Sequence, residues 1–253
     1  MTVDFSSLPD VSDEHPELAP EERWYAAHVK ARELALEAVF GPTEPPDTVL
    51  APDDEEVARA WPGGGFHRYP PRGERTSWLY VTHGLSQPFE ESDVHAPRED
   101  PDALSGLGLE YVLASSDDAA WPLELLLGLV RQVLLDDDAT LLEPGRLRAC
   151  NAPIGGRGAL RHVLATLSPE YELDLLLPAG HCVLVHLVGV TDREAARAQA
   201  EPDILGSLIL ERVLYAFGVG GLTDPDRDCL TTREDFDAVW SDVRAEVLAE
   251  SDD

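Results

Sequence analysis

The run from Cys182 to Val190, CVLVHLVGV, limits the possible folds more than any other stretch of the chain. All but His186 is apolar or glycine, with none of the alternation that leaves one face of a strand in water. Such a strand must lie inside a sheet with both faces covered. Directly after it comes Thr191-Asp192-Arg193-Glu194. This is a capping box, in which the Thr and Glu side chains satisfy each other's free backbone N–H groups, so a helix starts where the strand stops. A buried strand of this kind needs further strands beside it and helices over it.

The rest of the chain supplies both. Residues 21–40 predict a helix with Tyr25, His28, Val29, Leu36, Val39 and Phe40 near one face, Pro20 ahead of it and Gly41 ending it. Residues 42–65, with five prolines and Gly63-Gly64-Gly65, read as an irregular connection. Aromatic and β-branched residues predict strands at 77–83 and 107–114, with others at 146–150 and 159–167. Trp121-Pro122 opens a helix to Leu135, and further helices are expected over 203–217, closed by Gly218, and 232–250. The expectation is an α+β fold, a mixed β-sheet flanked by helices. Residues 1–19 read as a loosely ordered acidic leader and 20–253 as one domain.

Charge decides which partners such a domain can have. Nineteen Lys and Arg stand against 49 Asp and Glu, a formal net charge of −30. That surface repels nucleic acid and anionic membrane, and it attracts basic partners over about a Debye length. No segment approaches the roughly 20 apolar residues that cross a bilayer, and the acidic start is no secretory signal. Cys150, Cys182 and Cys229 are scattered and never spaced as CxxC, which fits a reducing cytoplasm better than a disulfide framework. One lysine, one asparagine and three isoleucines beside 18 arginines is the usage of a high-GC genome, and a bacterial source is expected.

Several constellations resemble sites, and each lacks a required member. Asp224, Asp226, Asp228 and Asp235 fall at the first, third, fifth and twelfth positions of a calcium loop, but Cys229 stands where the turn needs Gly. On a strand Cys182 and His186 share a face and His181 does not, leaving a pair without further zinc ligands. Ser86 near His83 has no third member, and no GxSxG elbow exists. Gly155-Gly156-Arg157-Gly158 leads into a strand and reads as a turn, not as a phosphate loop. Glu110, inside an apolar strand, calls for a buried Arg or backbone donors, since an unpaired carboxylate there is costly. Asp136-Asp137-Asp138 opposes the macrodipole at a helix C-terminus, a broken rule of the sort that can mark function. No metal or cofactor is expected.

The motifs, taken in order, resemble the suppressor-of-fused family. Trp78 to Ser86, WLYVTHGLS, is similar to its W-x-Y-x-S-x-G-L-S segment, through Trp78, Tyr80 and Gly84. Ser105 to Glu110, SGLGLE, resembles its SGFGFE, through Ser105, Gly106, Gly108 and Glu110. Trp121-Pro122 with Glu124-Leu125 is similar to its WPAEL, VHLVGVT to its QIVGVT-like strand, and Thr223-Asp224 with Arg227 to its LITDxxR.

The resemblance implies an α+β domain with no enzymatic activity, these motif residues being structural. The animal member sequesters a transcription factor, and bacterial members are regarded as immunity proteins that neutralise toxins. The chain's length is expected to leave out the animal protein's second domain. The leading expectation is therefore an inhibitor that binds a basic toxin domain, with Asp136, Asp137, Asp138, Glu90, Glu91 and Asp93 as contacts. The alternatives are a module that sequesters an endogenous protein, or an enzyme using Glu110, His83 or the Asp224 cluster.

Overall fold

A computed structural model describes residues 2–4, 6–7, 18–45, 49–88, 102–136, 138–167 and 174–251. Its chain divides into two compact units, one made of residues 1–72, 80–111 and 169–184, the other of 73–79, 112–168 and 185–253.

The sheet has the strand order β1-β7-β8-β4-β3-β2. The strands are β1 (Thr2–Asp4), β2 (Gly65–Tyr69), β3 (Trp78–His83), β4 (Leu104–Ser115), β7 (Asp174–Leu177) and β8 (Gly180–Thr191). β1 runs parallel to β7, whereas β7 and β8 form an antiparallel hairpin, so the sheet is mixed as expected. Thr2–Asp4, within the stretch read as a leader, form a strand in register with Asp174 to Leu176.

Helix α1 (Pro20–Phe40) begins with Pro in its first turn, where a missing N–H costs nothing, and the Glu22 side chain accepts from Ala19 N at 2.9 Å. It stops at Gly41, whose φ of 86° is open to glycine at little cost. The buried face is Ala27, His28, Ala31, Arg32, Ala35, Leu36 and Phe40, while Tyr25, Val29 and Val39 are half-buried. Small alanines at every fourth position form the inner stripe, and bulky apolar residues flank it.

The expected irregular connection over 42–65 contains a further helix, α2 (Glu55–Ala60). Asp54 caps it by accepting from Glu56 N and Val57 N at 2.9 and 3.1 Å. α2 delivers Trp61 into the core, where its ring meets Phe66 edge-on at 5.6 Å. The glycine run follows from that, because a Cβ at Gly64 would lie 2.2 Å from the Trp61 ring.

In the second unit, β5 (Leu147–Ala149) and β6 (Leu160–Thr166) join the later part of β8 antiparallel, and β9 (Leu222–Thr223) joins β4 in parallel. From Leu184 to Thr191 every residue of β8 is buried, as its apolar run requires, while Val183 earlier in that run is only half-buried. Helices α3 (Trp121–Leu135), α4 (Asp192–Gln199), α5 (Leu205–Ala216) and α6 (Phe236–Ser251) complete the unit. The last three pack Ala195, Ala198, Ile209, Val213, Phe236 and Trp240 against Val188 and Val190. The capping box at Thr191 is present, with both Thr191 and Glu194 in their expected roles. Helix 232–250 is shorter at its start than expected, since Leu230–Thr232 forms a 3-10 turn before α6 begins.

Candidate functional site

Most of the motif residues are organised around two buried carboxylates, one in each unit. In the first unit Glu110 of β4 is fully buried. Its Oε1 accepts from Gly84 N at 2.9 Å, Ser86 N at 3.0 Å and Ser86 Oγ at 2.6 Å, and its Oε2 accepts from Thr82 Oγ1 at 2.6 Å. The carboxylate therefore ties down the tight turn that follows β3. Ser105 adds a second tie, its hydroxyl donating to Ser86 O at 2.6 Å. Gly106 is required by this closeness, because its φ is 57° and a Cβ would lie 2.2 Å from Gln87 O. The two segments WLYVTHGLS and SGLGLE are thus halves of one interlocked structure.

A guanidinium compensates the buried charge, as the carboxylate in an apolar strand requires. Arg32 of α1 is 1% exposed and lies in the electrostatic field of Glu110, its Nη2 standing 3.3 Å from both ring nitrogens of His83. Burial, then Arg32 and His67, hold His83 well below its ordinary pKa, so it is neutral. The His67 ring meets His83 at 4.3 Å. Burial, reinforced by Glu110, pushes the Cys182 thiol up, which leaves it unreactive. Glu110, His83 and Ser86 are 0%, 0% and 1% exposed, so solvent does not reach their reactive atoms.

The second carboxylate is Glu194, in the first turn of α4 and also fully buried. Arg227 grips it with two parallel bonds of 2.7 and 2.6 Å, while Leu230 N and Thr191 N donate at 2.7 and 2.8 Å. Burial alone would raise this carboxyl, but Arg227 and the two backbone donors hold it below its usual range. Arg227 also reaches Gly189 O at 3.0 Å, and the Thr223 hydroxyl accepts from Gly189 N at 2.9 Å. The motif Thr223-Asp224…Arg227 thus clamps the end of β8 to the start of α4.

The calcium-like spacing dissolves into these roles. Asp224 accepts from Asp226 N at 2.9 Å in a local turn, Asp226 pairs with Arg157 at 2.9 Å, and Asp235 pairs with Arg233. His181 bonds Asp174 at 2.7 Å, while Cys182 and His186 are buried. Among the described residues no group of three His, Cys, Asp or Glu could hold a metal ion.

Tyr80 is buried, as is Pro122, whereas Trp78 and Trp121 are half-buried. Of the acids expected to meet a partner, Asp136 and Asp138 are exposed. Asp136 closes α3 through its N–H to Gln132 O at 3.1 Å, and its Oδ1 accepts from Asp138 N at 3.1 Å. Asp137, Glu90, Glu91 and Asp93 lie outside the described residues. Sequence reasoning missed Arg32, whose only signal is a charged residue in the alanine stripe of α1. It also read Glu194 as a helix cap alone, without its Arg227 partner.

A family model described as Suppressor of fused protein (SUFU) matches residues 61–228, the segment holding every motif residue above. The chain belongs to the suppressor-of-fused family.

Among solved structures this suppressor-of-fused chain is similar to a homologue from Neisseria gonorrhoeae FA 1090, at 17% identity and a TM-score of 0.54 over 81% of this chain and 96% of that one. It is similar to Drosophila Suppressor of Fused at 16% identity and a TM-score of 0.51, covering 74% of this chain but 46% of the Drosophila one. A Sufu–Fu complex provides a third likeness, at 20% identity and a TM-score of 0.52, over 71% of this chain and 86% of that one. No curated protein matches the chain. Among the described residues no helix is long and apolar enough to cross a membrane.

Proposed function

We propose that this chain is a non-enzymatic binding protein, an immunity-type inhibitor that neutralises a basic toxin domain by occupying it. The observation that carries this reading is the division of labour among the acids. Glu110 and Glu194, the fully buried carboxylates among the described residues, are each saturated by inward donors and balanced by Arg32 and Arg227. Those two pairs sum to zero, so the whole net charge of −30 belongs to the remainder of the chain. A surface of that sign speeds encounter with a basic partner and complements it once bound. Asp136, Asp137 and Asp138, with Glu90, Glu91 and Asp93, are the proposed contacts. On this reading the domain acts in the cytoplasm, without cofactor, nucleic acid or membrane.

The experiment is growth rescue. The product of the adjacent gene is expressed with and without this chain. Rescue of a growth defect supports inhibition; a product that is harmless alone removes it.

The Sufu–Fu complex among the similar structures favours a second reading, sequestration of an endogenous protein. It predicts a partner that is bound but not toxic when expressed alone.

A further inference from the structure

One segment of this acidic chain is free of acids. From Pro144 to Pro169 the sequence has four arginines, one histidine and no Asp or Glu, although the chain has 49 acids among 253 residues. None of the five motifs falls in it. The segment holds the β5–β6 hairpin of the second unit. There Arg148 is opposite Val163, and the bonds from Cys150 N to Arg161 O and from Ala165 N to Arg146 O continue the pairing at either end. Arg146 and Arg148 share one face of the hairpin by its two-residue period, and Arg161 stands across from Cys150, the next position on that face. Arg146 and Arg161 are exposed and Arg148 is half-buried. Arg148 is held by neutral acceptors, donating to Gln132 Oε1 at 3.2 Å and to Thr140 O, so its charge is oriented but not neutralised. Among the described residues no carboxylate pairs with any of these three, whereas Arg197, Arg212, Arg227, Arg233 and Arg244 of the same unit each have one. Acids from elsewhere in the unit reach the segment at Arg157, through Asp226, and at His162, through Asp192.

We propose that Arg146, Arg148 and Arg161 dock an acidic segment of a protein partner, at a second contact surface whose sign is opposite to that of the chain as a whole. Their guanidinium forks suit carboxylates, and with none supplied by the described residues they remain open to carboxylates from outside. A peptide is favoured over nucleic acid by the surrounding charge. A net −30 repels a long line of phosphates, whereas a few carboxylates fit within the acid-free island. This surface goes beyond the inhibitor reading, which assigns the contacts to acids.

The test titrates the full-length chain with acetyl-hexaglutamate amide, following backbone amide resonances, beside the uncharged acetyl-hexaglutamine amide at equal ionic strength. The proposal expects saturable shifts centred on residues 146–161 with the glutamate peptide, and none with the glutamine one. Arg146→Gln with Arg161→Gln should weaken binding about tenfold, since each exposed ion pair is worth roughly two- to fivefold. Arg212→Gln with Arg233→Gln makes the same change of net charge elsewhere in the unit and should leave binding unchanged. The amide spectrum shows whether each variant is folded, and the wild-type titration decides alone if one is not. Absent or unsaturable shifts, equal binding of hexaglutamine, or equal weakening by both double variants overturn the proposal. Tighter binding of oligothymidylate than of hexaglutamate at the same residues overturns it in favour of nucleic acid.

Discussion

Replacing Glu110 by glutamine keeps the shape of the side chain and removes its charge, so it isolates what the carboxylate does. Four donors converge on it, three on Oε1 and one on Oε2. An amide has one acceptor oxygen, which is best placed toward Gly84 N, Ser86 N and Ser86 Oγ. Its NH₂ then faces Thr82 Oγ1, which already accepts from Tyr111 N at 2.8 Å, and the Thr82 hydroxyl proton loses its acceptor. The stranded donor costs about 1–3 kcal/mol, and three bonds lose charge assistance at roughly 1 kcal/mol each. Arg32 also loses its nearby countercharge. The terms overlap, and the net loss should be about 3–5 kcal/mol, the usual cost of breaking a buried charged pair. With a urea slope near 2 kcal/mol/M, the unfolding midpoint falls by about 1.5–2.5 M. The assay is urea unfolding together with hydrogen exchange at Gly84 and Ser86, whose amides should exchange much faster. An unchanged midpoint with those amides still protected would refute the reasoning. A stable variant that no longer functions would point instead to a direct chemical role for Glu110.

Arg227→Met leaves Glu194 buried against two backbone donors only and should cost about 3–5 kcal/mol, read by chemical denaturation. Glu194 is depressed in the folded state, so its contribution is present above its unfolded pKa of 4.5 and is lost as the pH falls through the lower folded value. His186 is held by burial at about 4 against 6.5 unfolded, so the unfolded chain takes up its proton first on acidification. Stability is whole above pH 6.5 and about 3 kcal/mol is lost on approaching pH 4. His186→Gln should flatten that slope in unfolding curves measured from pH 7 to 4. Gly106→Ala forces a Cβ 2.2 Å from Gln87 O at a φ of 57°, and should lower the melting temperature by several degrees.

What could be read from the residues follows from how local the cause is. β8 was legible because its apolar run admits one environment, and α4 because Thr191 and Glu194 cap each other within four residues. β1, β2 and β7, three to five residues long, were not read, although β5, which is no longer, was. At the site, a carboxylate inside an apolar strand demanded donors or an arginine, and the structure supplies both to Glu110. The identity of that arginine was beyond reach. Arg32 lies 78 positions away on a helix whose apolar pattern pointed to Val29 and Val39 as core. Only packing shows that the alanine stripe faces inward and carries the guanidinium with it.

On the proposed function this chain acts by occupying a partner and not by chemistry on it. The measurement that separates the two is a titration of the purified adjacent gene product's toxic activity with the chain. Stoichiometric occupation predicts a linear fall that ends at one equivalent and recovers when the two are separated in high salt. Complete inactivation by a small fraction of an equivalent, persisting after separation, would contradict it.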